Sequence, residues 1–252
     1  MSVAFVATFV LGFALHSWQQ DLRGGSALAA ACPPLPAEAG YHRLLALPPP
    51  SFSPSYRFIR TLPDGSPVTY DPCRPVHYVI SSQHLPAYGA KMIREAVAKA
   101  STASGLQFGY DGLTTEPLSF ERPFVQKARY GDRWAPVLIA FSDGRATPAL
   151  AANVMGRGGS EVVAPSGPAS ARYVTGAVGL DQDDFDQTMT YRDGWAMGRA
   201  AIMHELGHVV GLAHVDDDFQ LMSPHNSGLV SYGPGDLHGL ALEGSGKCHH
   251  DT

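Results

Sequence analysis

Residues 204–214 read HELGHVVGLAH, and five of these positions are spaced for chemistry: His204, Glu205, His208, Gly211 and His214. Two histidines four residues apart lie one helical turn apart on the same face, so both imidazoles reach a single ion. A straight helix has no third donor to offer at that point. Gly211 solves this, because glycine accepts the positive φ that ends a helix and turns the chain. His214 then returns as a third ligand. Neutral imidazole suits zinc, zinc favours four ligands, and a catalytic site keeps one position for water. Glu205, next to the first ligand, is placed to take a proton from that water. The expected centre is one catalytic Zn2+ on His204, His208 and His214, with Glu205 as general base.

The match is specific. With 11 His, 7 Glu and 27 Gly in 252 residues, the five anchors meet by chance on the order of once in ten thousand such chains, against about once in a hundred for HExxH alone. The flanking residues Ala200, Ala201, Ile202, Met203, Leu206, Val209 and Val210 are apolar, so the helix expected over 195–210, with Asp193 as its N-cap, is buried. Burying a glutamate and two histidines without a metal or partners is costly.

Other elements must hold this helix in place. Residues 75–81 are rich in β-branched and aromatic types and read as a strand. Residues 86–103 place Ile93, Ala96, Val97 and Ala100 at helical spacing, with Lys91, Arg94, Glu95 and Lys99 elsewhere, as an amphipathic helix requires. Residues 106–110 are a short strand, and 137–141 (VLIAF) form the continuous apolar run of a central strand. Residues 144–170 are rich in Gly, Ala and Pro and carry no clear period. A further strand is expected over 173–180 and a last helix over 235–243. The alternation predicts an α/β fold with a mixed sheet.

The N-terminal run 3–15 is thirteen residues long and almost wholly apolar. That is the length of an export-signal core, short of the roughly 20 residues of a membrane span. Residues 1–31 are therefore read as a signal peptide or an N-terminal membrane anchor, which implies a secreted or cell-surface protein. The segment LAAAC at 28–32 also has a partial likeness to a lipobox. Residues 32–55, with seven prolines, read as a linker, and 56–252 as the folded domain. Net charge −5 and a pI of about 6.1 argue against a nucleic-acid partner. Cys32, Cys73 and Cys248 form no CxxC pair. Cys73 and Cys248 lie near the two ends of the folded domain and are expected to pair after export, leaving Cys32 over.

The long motif HExxHxxGxxH resembles that of the metzincin clan of zinc metallopeptidases, in which a Met-turn follows. Leu221-Met222-Ser223-Pro224 is the corresponding segment here. Within the clan the chain is most similar to the matrixin-like secreted peptidases of actinobacteria, through Asp71-Pro72-Cys73 and the GAVGLD segment at 176–181. Val215 stands where matrixins usually carry serine, and their Pro-Arg-Cys-Gly cysteine switch has no good match. The resemblance implies an α+β zincin-type fold: a twisted mixed sheet, two main helices, an active-site helix ending at Gly211, a Met-turn and a short C-terminal helix. It also implies a monomeric endopeptidase whose protein or peptide substrate pairs with an edge strand within 149–165, above an apolar floor at Met222. Asp181, Asp183, Asp184 and Asp186 become a candidate Ca2+ site, as matrixin folds often have, although their order does not match an EF-hand and a solvated acidic turn fits them as well. Two other readings stay open: a non-catalytic zinc-binding or adhesion module of the same fold, and a peptidase acting on cell-wall peptides.

Overall fold

The computed structural model describes residues 40–49, 51–151, 154–225 and 228–250. The export segment 1–31 and Cys32 lie outside the described residues.

Five strands form one mixed sheet in the order β2-β1-β3-β5-β4: β1 is Val76–Ser81, β2 Phe108–Thr114, β3 Val137–Ser142, β4 Gly156–Val163 and β5 Arg172–Asp181. β1, β2, β3 and β5 run parallel, and β4 pairs antiparallel with β5 at the edge. The helices are α1 (Gly89–Ser104), the four-residue α2 (Lys127–Tyr130), α3 (Gln182–Met189), α4 (Gly194–Val210) and α5 (Pro234–Gly244). Strand alternation sorts the core into two layers. Tyr78, Ile80, Ile139, Phe141, Val178 and Leu180 meet the apolar faces of α1, α3 and α4. Val79, Leu138, Ala140 and Ala177 face the other way, under Leu118, Phe120 and Tyr130 of the long β2–β3 connection. That connection is clamped by Arg122, whose guanidinium donates to both oxygens of Glu116 (2.9 and 2.7 Å) and to Pro136 O (2.6 Å).

The mixed α/β class and most elements agree with the sequence reading, and four points differ. The stretch 144–170, which carries no clear period, contains β4, a glycine-rich strand (GRGGSEVV) with too few apolar residues to show one; it lies at the sheet edge, inside the 149–165 span where the resemblance alone placed an edge strand. Asp193 occupies the N-cap position of α4, but its side chain makes no capping hydrogen bond. The acidic segment at 181–186 is the start of a helix: Asp181 caps α3 by accepting from Asp184 N (3.0 Å), and Asp186 accepts from Tyr88 Oη (2.8 Å). Among the described residues these four carboxylates do not gather around one point.

The fourth difference concerns the proline-rich segment. Its described residues, 40–49 and 51–55, form no helix or strand, yet they are fastened to the domain. Gly40 N donates to Cys73 O (3.0 Å) and Leu44 N to Pro72 O (3.1 Å), while Arg43 donates to Gly244 O (2.5 Å) and Gly105 O (3.2 Å). Close by, Cys73 and Cys248 form the expected disulfide, with Cα atoms 5.3 Å apart and 175 residues between them. A closed loop of that length removes about 5 kcal/mol of unfolded-state entropy. Among the described residues no helix is long and apolar enough to cross a membrane.

Candidate metal centre

Helix α4 brings His204 and His208 to one face, one turn apart, at its buried C-terminal half. The helix ends at Gly211, which has φ 133°. A side chain there would face a second obstacle, because its Cβ would run into the Glu243 carboxyl group. The turn is braced from outside: Ile59 N donates to Gly211 O and Ala213 N to Arg57 O, both at 2.8 Å, forming a bridge between Phe58 and Leu212. The chain then returns His214 to the helix. Its Nε2 lies 3.0 Å from His204 Nε2 and 3.1 Å from His208 Nε2.

These three nitrogens fit a metal. His204 Nδ1 lies 2.7 Å from Leu221 O, and His208 Nδ1 2.7 Å from Leu212 O. A carbonyl only accepts, so both Nδ1 atoms carry the proton and both Nε2 lone pairs face the common point. Burial lowers the pKa of all three rings. For His208, burial and the two neighbouring imidazoles take it well below the usual value, and for His214, burial, His204 and then His225 take it to about 4. The rings are therefore neutral at pH 7, the form that ligates metal. The lone pairs of His204 and His208 thus face His214 Nε2, which lies 3.0 and 3.1 Å from them. Two imidazoles on one tetrahedral zinc stand about 3.3 Å apart, close to the separations here.

Glu205 is buried among backbone. Strand β4 crosses it through Gly156 and Gly158. A Cβ on Gly156 would come within 2.8 Å of Glu205 Cγ, and one on Gly158 would overlap the Glu205 carbonyl. Only a strand without side chains at alternate positions approaches this closely. Burial pushes the Glu205 carboxyl up to about 8, against the Gly158 N–H, which donates to it, and the charge of Arg157. Met222 packs under the same helix, with its Cε 3.1 Å from where a Cβ on Gly207 would stand.

Sequence reasoning missed the layer that fixes the turn at 220–223. Asp236, fully buried in the first turn of α5, accepts from Leu221 N (2.5 Å), Gly233 N (2.9 Å) and Met222 N (3.3 Å). Gln220 Oε1 accepts in return from Gly235 N (2.7 Å) and Asp236 N (3.1 Å). Since Leu221 O holds the His204 ring, this lock orients one of the three converging imidazoles. The sequence offered one usable signal, an aspartate two places after Pro234 at a helix start. The glycines at 156 and 158 offered another, as alternate positions of one strand face.

No family model matches the chain, and no curated protein matches it. Among solved structures it is similar to one described as the GM1-bound form of the ECX AB5 holotoxin, at 13% identity and a TM-score of 0.38, over 66% of this chain and 64% of that one. The chain thus spans less than two thirds of that protein, and a likeness this weak carries no argument for fold or function.

Proposed function

We propose that this chain is a secreted zinc-dependent endopeptidase of the metzincin kind, with a zincin-type arrangement of sheet, helices and Met-turn. The observation that carries the reading is the convergence of Nε2 of His204, His208 and His214, with Glu205 next along the helix. The Cys73–Cys248 disulfide is compatible with an extracytoplasmic location.

When bound, zinc supplies Lewis acidity, lowers the pKa of water and favours the ionised form of Glu205. The protein's own residues do the rest. Among the described residues β4 pairs with β5 alone and so forms an edge of the sheet, and such an edge strand holds an extended peptide by main-chain hydrogen bonds. Glu205, steadied by the Gly158 N–H, accepts the proton of the attacking water and returns it to the leaving amine. Gly156 and Gly158 keep the base close to the strand that would carry the substrate. Leu221 O and Leu212 O hold two ligand rings with their lone pairs turned inward. Met222 is an apolar support and exchanges no proton.

The test is metal analysis and casein or peptide cleavage on one preparation of the full chain. The expected result is one zinc per chain, with cleavage lost on chelation and restored by zinc. His214→Ala is expected to retain zinc much more weakly. Zinc binding without cleavage of any peptide would overturn the peptidase and leave a binding module. Equal zinc retention by His214→Ala would overturn the ligand set.

A further inference from the structure

We propose that Arg157 gives the site a preference for peptides with an aspartate or glutamate close to the bond to be cut. The inference rests on the peptidase reading, because it takes the substrate to be an extended peptide laid along β4.

The register of β4 decides which of its main-chain groups face outward. Asp181 N donates to Met155 O (2.9 Å). From there the two strands pair residue by residue, through Gly156–Leu180, Arg157–Gly179 and Gly158–Val178. In an antiparallel ladder every second pair exchanges hydrogen bonds. Arg157 therefore turns its N–H and C=O to β5, while Gly156 and Gly158 turn theirs to the outer edge. The Gly158 N–H is engaged there by Glu205. The groups of Gly156 and the Gly158 carbonyl remain for a peptide. A peptide paired antiparallel with them sets one residue directly opposite Arg157, and residues so opposed share a face of the sheet. Gly156 and Gly158, on either side of Arg157, both lie against Glu205. The opposed residue thus stands within about two residues of the bond beside that carboxylate.

Arg157 is built to meet an acid at this position. It points away from α4: its guanidinium carbon lies 5.1 Å from the centre of the Phe120 ring. A Cβ on Gly179, its partner across the ladder, would meet Phe120 and Leu118 on the same face. Stacking on an aromatic ring steadies a guanidinium and leaves the N–H groups at its rim for a carboxylate. Arg157 is exposed, and among the described residues no carboxylate pairs with it. Gly159, next on that face, has no side chain, and Glu161 lies four residues on, about 13 Å away. A peptide side chain opposite Arg157 therefore meets the charge of the arginine before any other on β4.

Zinc-loaded full-length protein is given peptides that carry Asp, Asn or Lys in turn at each position near the cleaved bond. At one position kcat/KM is expected to fall in the order Asp, Asn, Lys, by about three- to tenfold from first to last, and the spread is expected to shrink in high salt. Arg157→Gln is expected to abolish the order and Arg157→Glu to reverse it, with zinc content and melting temperature unchanged because the side chain is exposed. Glu205 also feels the Arg157 charge, and comparing peptides within one variant cancels any general change in rate. The same peptides, fluorescently labelled, are bound to zinc-loaded Glu205→Gln and followed by anisotropy, where the same order is expected, reversed when Arg157→Glu is added. Cleavage without a charge order, or with an order that neither Arg157 variant changes, would overturn the role of Arg157 and leave the peptidase standing. Ordered binding that Arg157→Glu reverses, without cleavage by the wild type, would overturn the peptidase and leave the preference in place. Absence of both would overturn both.

Discussion

Helices α1 and α4 differ by one residue in length and pack against each other in one core, yet they follow opposite rules of composition. α1 is sided. Met92, Ile93, Ala96, Val97 and Ala100 are buried, while Lys91, Arg94 and Lys99 are exposed. Each large apolar side chain that it buries contributes about 1.5–3 kcal/mol, so α1 is held chiefly by the hydrophobic effect, with Glu95 accepting from Trp195 Nε1 (2.9 Å) at its edge. α4 has no outside in its second half: residues 202–210 are all buried, including His204, Glu205 and His208. Polar groups in that position cost stability unless partners offset them. The partners come from three other segments, namely Leu221 O and Leu212 O on the histidines and the Gly158 N–H on Glu205. One helix is secured by its own apolar face, and the other depends for its polar groups on hydrogen bonds from three separate segments.

Substitutions on the two helices are expected to separate these roles. The largest effect falls on α4. Glu205→Gln keeps size and leaves the three histidines intact, so zinc content and melting temperature are expected to stay near wild type while peptide turnover falls about 10²–10⁴-fold. Measuring zinc and turnover on the same sample checks this, and full zinc with wild-type turnover would mean that α4 carries no base. Met92→Ala on α1 is expected to do the reverse. It removes a fully buried side chain and should cost about 2–5 kcal/mol in denaturant unfolding, with zinc stoichiometry unchanged under native conditions.

A smaller effect, of opposite sign, is expected where α5 meets the end of α4. Glu243 is fully buried, neither carboxyl oxygen has a hydrogen-bond partner among the described residues, and burial raises its pKa well above the usual value. The folded protein therefore keeps a proton that the unfolded chain releases above pH 4.5. Stability is fullest below that pH and declines as pH rises toward the raised folded-state pKa. Glu243→Leu removes both the stranded polar group and this decline. It is expected to raise stability by about 1–3 kcal/mol at neutral pH, and by less in acid, when melting is followed against pH. A gain independent of pH would mean that ionisation is not the cost. The smallest effect belongs to the exposed side of α1, where Lys99→Ala is expected to change unfolding free energy by less than about 0.5 kcal/mol.

Much of this contrast was legible before folding. The i, i+4 histidines, the glycine that ends the helix and the third histidine are local in sequence, and the geometry of a helix and one turn suffices to bring them together. The strands at 137–142 and 172–181 showed as apolar runs because both their faces are buried, and α1 showed as a period because one of its faces is not. β4 left no such trace. Its glycines serve contact with Glu205, and a residue chosen for having no side chain has no hydropathy to read. The capping role of Asp181 was hidden as well, since a cluster of aspartates looks the same as a metal loop, a turn or the start of a helix.

By itself, then, the sequence determined that His204, His208 and His214 can meet beside Glu205, and it pointed to the mixed α/β class and to the Cys73–Cys248 pair, since these follow from short-range patterns and from the placing of two cysteines near the ends of the folded domain. Tertiary structure alone decided which atoms face inward. The His204 ring is turned by Leu221 O, that carbonyl is fixed by Asp236 from α5, the Gly211 turn is braced by residues 57–59, and Glu205 is closed over by β4. Those partners lie between 15 and 156 residues apart along the chain, as the pairs Leu221–Asp236 and Arg57–Ala213 mark at the two extremes. No local pattern encodes such pairs, because the hydrogen bonds that orient a site are made only after the chain has packed.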